Sequence, residues 1–334
     1  MNLNQLFKDI EEKTTQRYRA FMNGPFVERV EKYARRLILP GFDGMPLYDV
    51  LVFFIKGLSK GALNLRAGAF TYNSFIAIFP TIIFFFTIIP YIPIPNFQDN
   101  LLALLHDLIP LSAYETVEST LFDIVKRPRG GLLSLGFILA LYFATNGVNS
   151  LIEAFNQTYH SLENRSFVLQ RLVSVLLVLI MAVMVILAIG LITAGPPLMK
   201  MLVNLGLLHT DFVYYLLQGS RWLIILALFF FGYSFLYYLG PSKRKTFRFI
   251  SAGSSLATFL SIGLSSGFNF YVNNFSSYNK LYGSIGTLMI VMLWIYFNGL
   301  IILIGFELNA SIYHARQKVI ADMDVSVPWE EEIK

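Results

Sequence analysis

The 334-residue chain has no cysteine, only four histidines and three tryptophans, and little charge: Asp, Glu, Lys and Arg make up 14% of it. Without cysteine, disulfides, thiolate nucleophiles and thiolate metal sites are excluded. The histidines, His106, His160, His209 and His314, are scattered, and no HxH, HExxH or glycine-rich phosphate loop occurs. Metal-assisted hydrolysis, acid–base nucleic-acid cleavage and ATP-driven chemistry therefore have no visible apparatus, and no cofactor or metal is expected. The charged fraction falls well short of the roughly 25% of a soluble domain, while hydrophobic residues reach 55%. The first 19 residues lack the apolar run and small-residue cleavage site of a signal peptide, so the start is expected to be retained.

What replaces charge is long apolar runs. Six uncharged stretches lie between Arg66 and Asp99, Arg129 and Glu153, Arg171 and Lys200, Arg221 and Lys243, Arg248 and Lys280, and Lys280 and Glu307. Each exceeds the roughly 20 residues that cross the hydrocarbon of a bilayer. The expected fold is all-α: a polytopic membrane protein with six transmembrane helices near 69–95, 131–152, 172–198, 222–241, 249–273 and 284–306. They form a membrane domain over 46–315, between an N-terminal appendage (1–45) and a tail (316–334). The fifth run is rich in Ser and Gly, and Gly263 and Gly267 form a GxxxG pair that predicts close helix packing, within the bundle or between copies in a homo-oligomer. It reads as the most enclosed helix, and Pro80 predicts a kink in the first.

With the N-terminus inside, 20 of the 26 Lys and Arg residues lie on the side that holds both termini, which predicts cytoplasmic termini in the inner membrane. The net charge of +5 then reflects anionic headgroups, with membrane lipids as partners and no nucleic acid. Two amphipathic stretches complete the plan. Residues 99–109 and Ser112–Lys126 predict helices along the outer interface, and Leu47–Leu65 an inner elbow into the first span.

Polar residues inside the apolar runs are the functional candidates. Tyr142, Asn146, Asn149, Glu153, Asn156 and His160 recur every three or four residues and share one helical stripe. Polar groups at membrane depth face protein or a cavity. At about 1.5 Å per residue, Asn73, Asn146, Asn149, Asn269 and Asn298 lie within about 12 Å of the midplane. The stripe is expected to face Asn73 and Asn298 across a cytoplasm-facing polar funnel, ringed by Arg66, Arg165, Arg171 and Glu307. Glu307 points opposite to Asn298 on the sixth span, which marks it for an ion pair with another helix.

The segment Arg66–Asn73 running to Phe79-Pro80, the stretch Asn146–Tyr159, Tyr282-Gly283-Ser284-Ile285-Gly286, and Leu293–Tyr296 leading to Gly305–Asn309 resemble the YihY/virulence factor BrkB family, formerly labelled ribonuclease BN. The resemblance covers about 47 to 315 and implies a six-helix bacterial inner-membrane protein. It implies no settled activity; export of lipid or solute, ion exchange and envelope functions are the proposals it carries. The expectation is a non-enzymatic transporter or flippase of a polar or anionic solute or lipid. Asn73, Asn146, Asn149, Glu153, Asn156 and Asn298 would line its path, and Pro80, Gly263, Gly267, Tyr282, Gly283 and Gly286 would serve packing. The alternative is a non-transporting scaffold or regulator of envelope assembly.

Overall fold

Charge-free runs leave the backbone one way to satisfy its own N–H and C=O groups in lipid, the α-helix, and the chain takes it almost throughout. The computed structural model describes residues 25–60, 62–92, 95–108, 118, 122–123, 125–158, 161–162, 165–205, 210–242, 248–274 and 284–325. Among the described residues, three short helices, α1 (Pro25–Ala34), α2 (Leu47–Lys60) and α4 (Phe97–Leu108), accompany six long ones. The long helices are α3 (Leu63–Ile88), α5 (Gly130–Asn156), α6 (Phe167–Asn204), α7 (Thr210–Leu239), α8 (Ala252–Asn274) and α9 (Ser284–Val325). The described residues also hold a 3-10 turn, Ile89–Tyr91, an isolated bridge between Ile38 and Pro46, and a two-residue antiparallel pair, Gln157–Thr158 with Ser161–Leu162. Among the described residues, five helices are long and apolar enough to cross a membrane: Leu63–Tyr91, Gly130–Asn156, Phe167–Asn204, Gly219–Leu239 and Leu288–Ile320. Serine-rich α8 is the less apolar sixth member of the bundle. The protein is thus an all-α polytopic membrane protein.

Short connections make successive long helices antiparallel neighbours. Here α3 packs on α5, α5 on α6, α6 on α7, α7 on α8 and α8 on α9, and α9 returns to α3, so the six close into a ring. One end of the ring carries α2 and the C-terminal part of α9, which lie against each other, and is called the terminal end below. The expected elbow and outer helix are present as α2 and α4. At the far end Gln98 of α4 donates to the Ile89 and Ile92 carbonyls (3.2 and 3.3 Å). Most of the expected helix at Ser112–Lys126, together with residues 1–24, Tyr282, Gly283 and residues 326–334, lies outside the described residues.

The ring is filled at its terminal end. Phe155 of α5, Tyr237 of α7 and Phe306 of α9, from alternate members of the ring, meet on its axis. Phe155 stacks on Phe306 at 4.2 Å between centroids, and Tyr237 lies 5.9 and 6.1 Å from the two. Aromatic pairs of this kind contribute about 0.5–1.5 kcal/mol each beyond their buried area. Tyr237 donates to the Ile302 carbonyl (2.8 Å), and Tyr233 bonds Ser261 (2.6 Å). A second cluster seats α2 on α9 through Val50, Phe42, Leu308, Ile312 and Ala315.

The close helix approach is not at Gly263 and Gly267. A Cβ on either would meet nothing within 4 Å, so among the described residues the GxxxG pair packs on no neighbouring helix of this chain. The contact falls instead where α8 and α9 cross at Gly253 and Gly305: the Gly305 carbonyl oxygen lies where a Gly253 side chain would begin, and the Tyr237 hydroxyl and Gly253 carbonyl oxygen lie where one on Gly305 would. Accordingly the buried positions of α8, Gly253, Ser254, Ala257, Thr258 and Ser261, lie in its first half, and beyond them it is half-buried or exposed rather than enclosed along its length. Gly286 is buried. Pro80, also buried, does not interrupt α3, and Thr81 donates to the Ala77 carbonyl (2.7 Å) in the turn that proline leaves short of a donor.

Candidate functional site

The polar stripe of α5 exists, but it does not look where the spacing alone pointed. Asn146 lies nine residues before Phe155, about half a turn away around the helix. Since Phe155 occupies the ring axis, Asn146, Asn149 and Glu153 face away from it, toward the seam with α6. There Arg171 donates to Asn146 Oδ1 (2.6 Å) and lies over the Tyr142 ring, 4.9 Å from its centroid. Gln170 donates to Asn149 Oδ1 (2.9 Å) and to Glu153 Oε1 (3.4 Å), and Asn149 Nδ2 donates to Glu153 Oε1 (2.7 Å). Glu153 and Tyr142 are exposed, whereas Asn146, Asn149, Gln170 and Arg171 are half-buried. The seam is a connected polar strip whose open side carries one guanidinium and one carboxylate.

Asn73 and Asn298 are not part of it. Each folds back on its own helix, Asn73 to the Ala69 carbonyl (3.0 Å) and Asn298 to the Trp294 carbonyl (2.8 Å). The expected funnel between them and the α5 stripe is not formed. A groove of about 390 Å³ does lie between α3 and α9, but its walls are largely apolar: Gly68, Tyr72, Met289, Met292 and Tyr296. Asn156 is buried and accepts the Ser242 N–H (3.0 Å), so it fixes the α7–α8 connection.

The expected charged ring resolves into separate tasks. Arg165 donates to the Leu239 carbonyl (3.2 Å) and to that of Pro241, closing the C-terminus of α7 as a cation does well. Arg171 belongs to the seam. Arg66 and Glu307 form a buried ion pair at 3.8 Å, and Arg66 also donates to the Ala154 carbonyl (2.6 Å). One guanidinium thereby ties α3 to the last turn of α5 and to α9. The azimuth of Glu307 opposite Asn298 had marked this pairing.

Sequence reasoning passed over Gly57. Its backbone lies on the Glu307 side chain so closely that a Cβ would overlap Oε1 and come within 2.6 Å of Cδ. A glycine inside an amphipathic helix costs about 1 kcal/mol and was the available signal. Asn309 bridges two helices: its Oδ1 accepts the Gly253 N–H (2.8 Å) and its Nδ2 donates to Ser251 (3.0 Å), so α9 caps the start of α8. Beside it, Asp43 is clasped by Arg248 (3.0 Å) and Arg316 (4.0 Å). Among the described residues, no three His, Asp or Glu side chains cluster to hold a metal ion.

A ring of apolar helices with a buried ion pair at one end and a polar seam on its flank defines a polytopic helical membrane protein. The family described as Virulence factor BrkB matches residues 54–326, and the chain belongs to that family. It is 33% identical over 260 residues to the ribonuclease-like protein YfkH of Bacillus subtilis (strain 168), covering 76% of this chain and 91% of that one. It is 26% identical over 269 residues to a UPF0761 membrane protein of Haemophilus influenzae (strain 86-028NP), covering 78% and 94%. A UPF0761 membrane protein of Mannheimia succiniciproducens is 26% identical over 281 residues, covering 82% and 93%. No solved structure matches the chain.

Proposed function

We propose that the protein is a transporter or flippase of an anionic amphiphile, a lipid or a lipid-like solute, whose headgroup is held at the α5–α6 seam. One observation carries this reading: Arg171, half-buried between Asn146 and Tyr142, on the flank of the bundle rather than in its packed interior. An arginine kept at membrane depth with its planar face on an aromatic ring and its edge on an amide suits a phosphate or carboxylate arriving from the side. Gln170 and Asn149 supply further donors, and the exposed carboxylate of Glu153 discriminates against a second negative charge.

The proposal puts the terminal end in the cytoplasm and the bundle in the inner membrane, a reading the basic-residue bias supports. The three far-end basic residues that run against the charge bias are met locally by acids: Lys126 by Asp99, and Arg127 and Arg129 by Asp123. The proposal includes no hydrolysis; the ribonuclease-like name of the Bacillus relative is not carried over, because the four histidines are far apart in the chain. A non-transporting scaffold of envelope assembly is the second reading, favoured by the dense aromatic packing at the terminal end.

Proteoliposomes decide between them. Fluorescent phosphatidylglycerol is expected to cross the bilayer faster with the protein than in protein-free vesicles, and equal rates would overturn the transport reading in favour of the scaffold.

A further inference from the structure

Charged side chains at membrane depth ordinarily meet one another, and the terminal end follows that rule: Arg66 meets Glu307, and nearby Asp43 meets Arg248 and Arg316. The α5–α6 seam breaks it. Among the described residues neither Arg171 nor Glu153 has an ion-pair partner, although both stand on one strip. Amides keep them apart. Gln170 donates to Asn149 and Asn149 to Glu153, which ties the carboxylate to its own helix, while Arg171 reaches Asn146 instead. Both hydrogen bonds that Glu153 accepts among the described residues end on Oε1, and the residue is exposed, so its carboxylate keeps capacity for an incoming cation. Arg171 commits Nη1 to Asn146 and has the rest of its fork for an anion. At about 1.5 Å per residue, Glu153 lies about 10 Å along the helix from Asn146 and the guanidinium it holds.

The order of groups along α5 has a direction. From the terminal end inward, one face carries Glu153, then Asn149, then Asn146 with Arg171, then Tyr142, and finally Ile138 and Leu135, which are 61% and 54% exposed. Carboxylate, amide, guanidinium, aromatic ring and hydrocarbon thus follow one another from the membrane surface toward its middle. A phospholipid in that leaflet offers the matching order, with the tip of its head outermost, the phosphate below it and the chains innermost. Once the phosphate is on Arg171, whatever projects from it toward the surface comes to Glu153. An ethanolamine ammonium, about 5 Å from the phosphorus, stops beside the amides, whereas an amino acid esterified to phosphatidylglycerol carries its ammonium about 10 Å out and meets the carboxylate.

We propose that the seam selects a phospholipid with an extended zwitterionic head, of the aminoacyl-phosphatidylglycerol class, with its phosphate on Arg171 and its ammonium on Glu153. The inference rests on the seam being the headgroup site, and its test involves binding alone. The probe is phosphatidylglycerol labelled on an acyl chain and bound to the purified full-length protein in detergent micelles, with unlabelled lipids as competitors and fluorescence anisotropy as the readout. Alanyl-phosphatidylglycerol and phosphatidylethanolamine are both net neutral and differ in how far the ammonium lies from the phosphate, so their ratio reports the spacing.

Alanyl-phosphatidylglycerol is expected to compete about tenfold better than phosphatidylethanolamine or phosphatidylglycerol, the scale of one charge-assisted contact, and Glu153→Gln to remove that advantage. Equal competition by the three lipids, or an advantage that survives Glu153→Gln, would overturn the extended zwitterion; a probe still weakened by Arg171→Gln would then leave the headgroup site standing. Probe binding that Arg171→Gln does not weaken would overturn the site, and this inference with it. The lipid series on the native chain decides the spacing even where Glu153→Gln fails to fold.

Discussion

Gly57 and Glu307 share one space: the carboxylate of α9 lies where a side chain on α2 would begin. The elbow can therefore rest on the bundle only while residue 57 is glycine or residue 307 is short. Gly57→Ala is expected to lift α2 and lower the melting temperature in detergent. Glu307→Ala in the Gly57→Ala background is expected to fare better than the two single losses added together, a coupling of the order of 1 kcal/mol read by a double-mutant cycle. Strict additivity would remove the contact from the account.

Arg66 and Glu307 are held at 3.8 Å with almost no exposure. Removing one member leaves a buried charge without its partner, so Arg66→Ala or Glu307→Ala each is expected to cost about 3–5 kcal/mol, whereas Arg66→Met with Glu307→Leu costs less than either. Equilibrium unfolding in mixed detergent reads the ranking.

Asn309 serves α8 from another helix. Asn309→Ala strands the buried Gly253 N–H and is expected to cost about 1–3 kcal/mol. Hydrogen exchange at the start of α8 should rise first. Unchanged exchange there would show that the cap is not a support.

Asn73→Leu and Asn298→Leu are expected to be nearly silent, because each amide bonds only its own helix. A change in transport on either substitution would restore the inner polar path that the spacing predicted.

These cases show which links were legible. Charge-free runs set helix existence, since each must bond its own backbone in lipid. The azimuth of Glu307 against Asn298 foretold a partner on another helix, which proved to be Arg66. The periodicity of Asn146, Asn149 and Glu153 defined a stripe, but a stripe has no compass: its direction depends on which opposite face is packed, and Phe155 decided that by meeting Phe306 and Tyr237. Depth was likewise legible for Asn73 and Asn298 without their bonds, because an asparagine at a given height can turn to a neighbour or back to its own carbonyl. The GxxxG spacing of Gly263 and Gly267 announced close contact, yet the crossing point of α8 and α9, at Gly253 and Gly305, was set by helices far apart in the chain.

Headgroup binding at the α5–α6 seam is tested most directly by Arg171→Gln. In proteoliposomes that move fluorescent phosphatidylglycerol, this substitution removes the charge while leaving the apolar packing of α6 in place. Transbilayer movement is expected to fall about tenfold, the scale of one charge-assisted hydrogen bond of about 1.5 kcal/mol, at an unchanged melting temperature. Movement at the native rate by a folded Arg171→Gln protein would contradict the seam as the headgroup site.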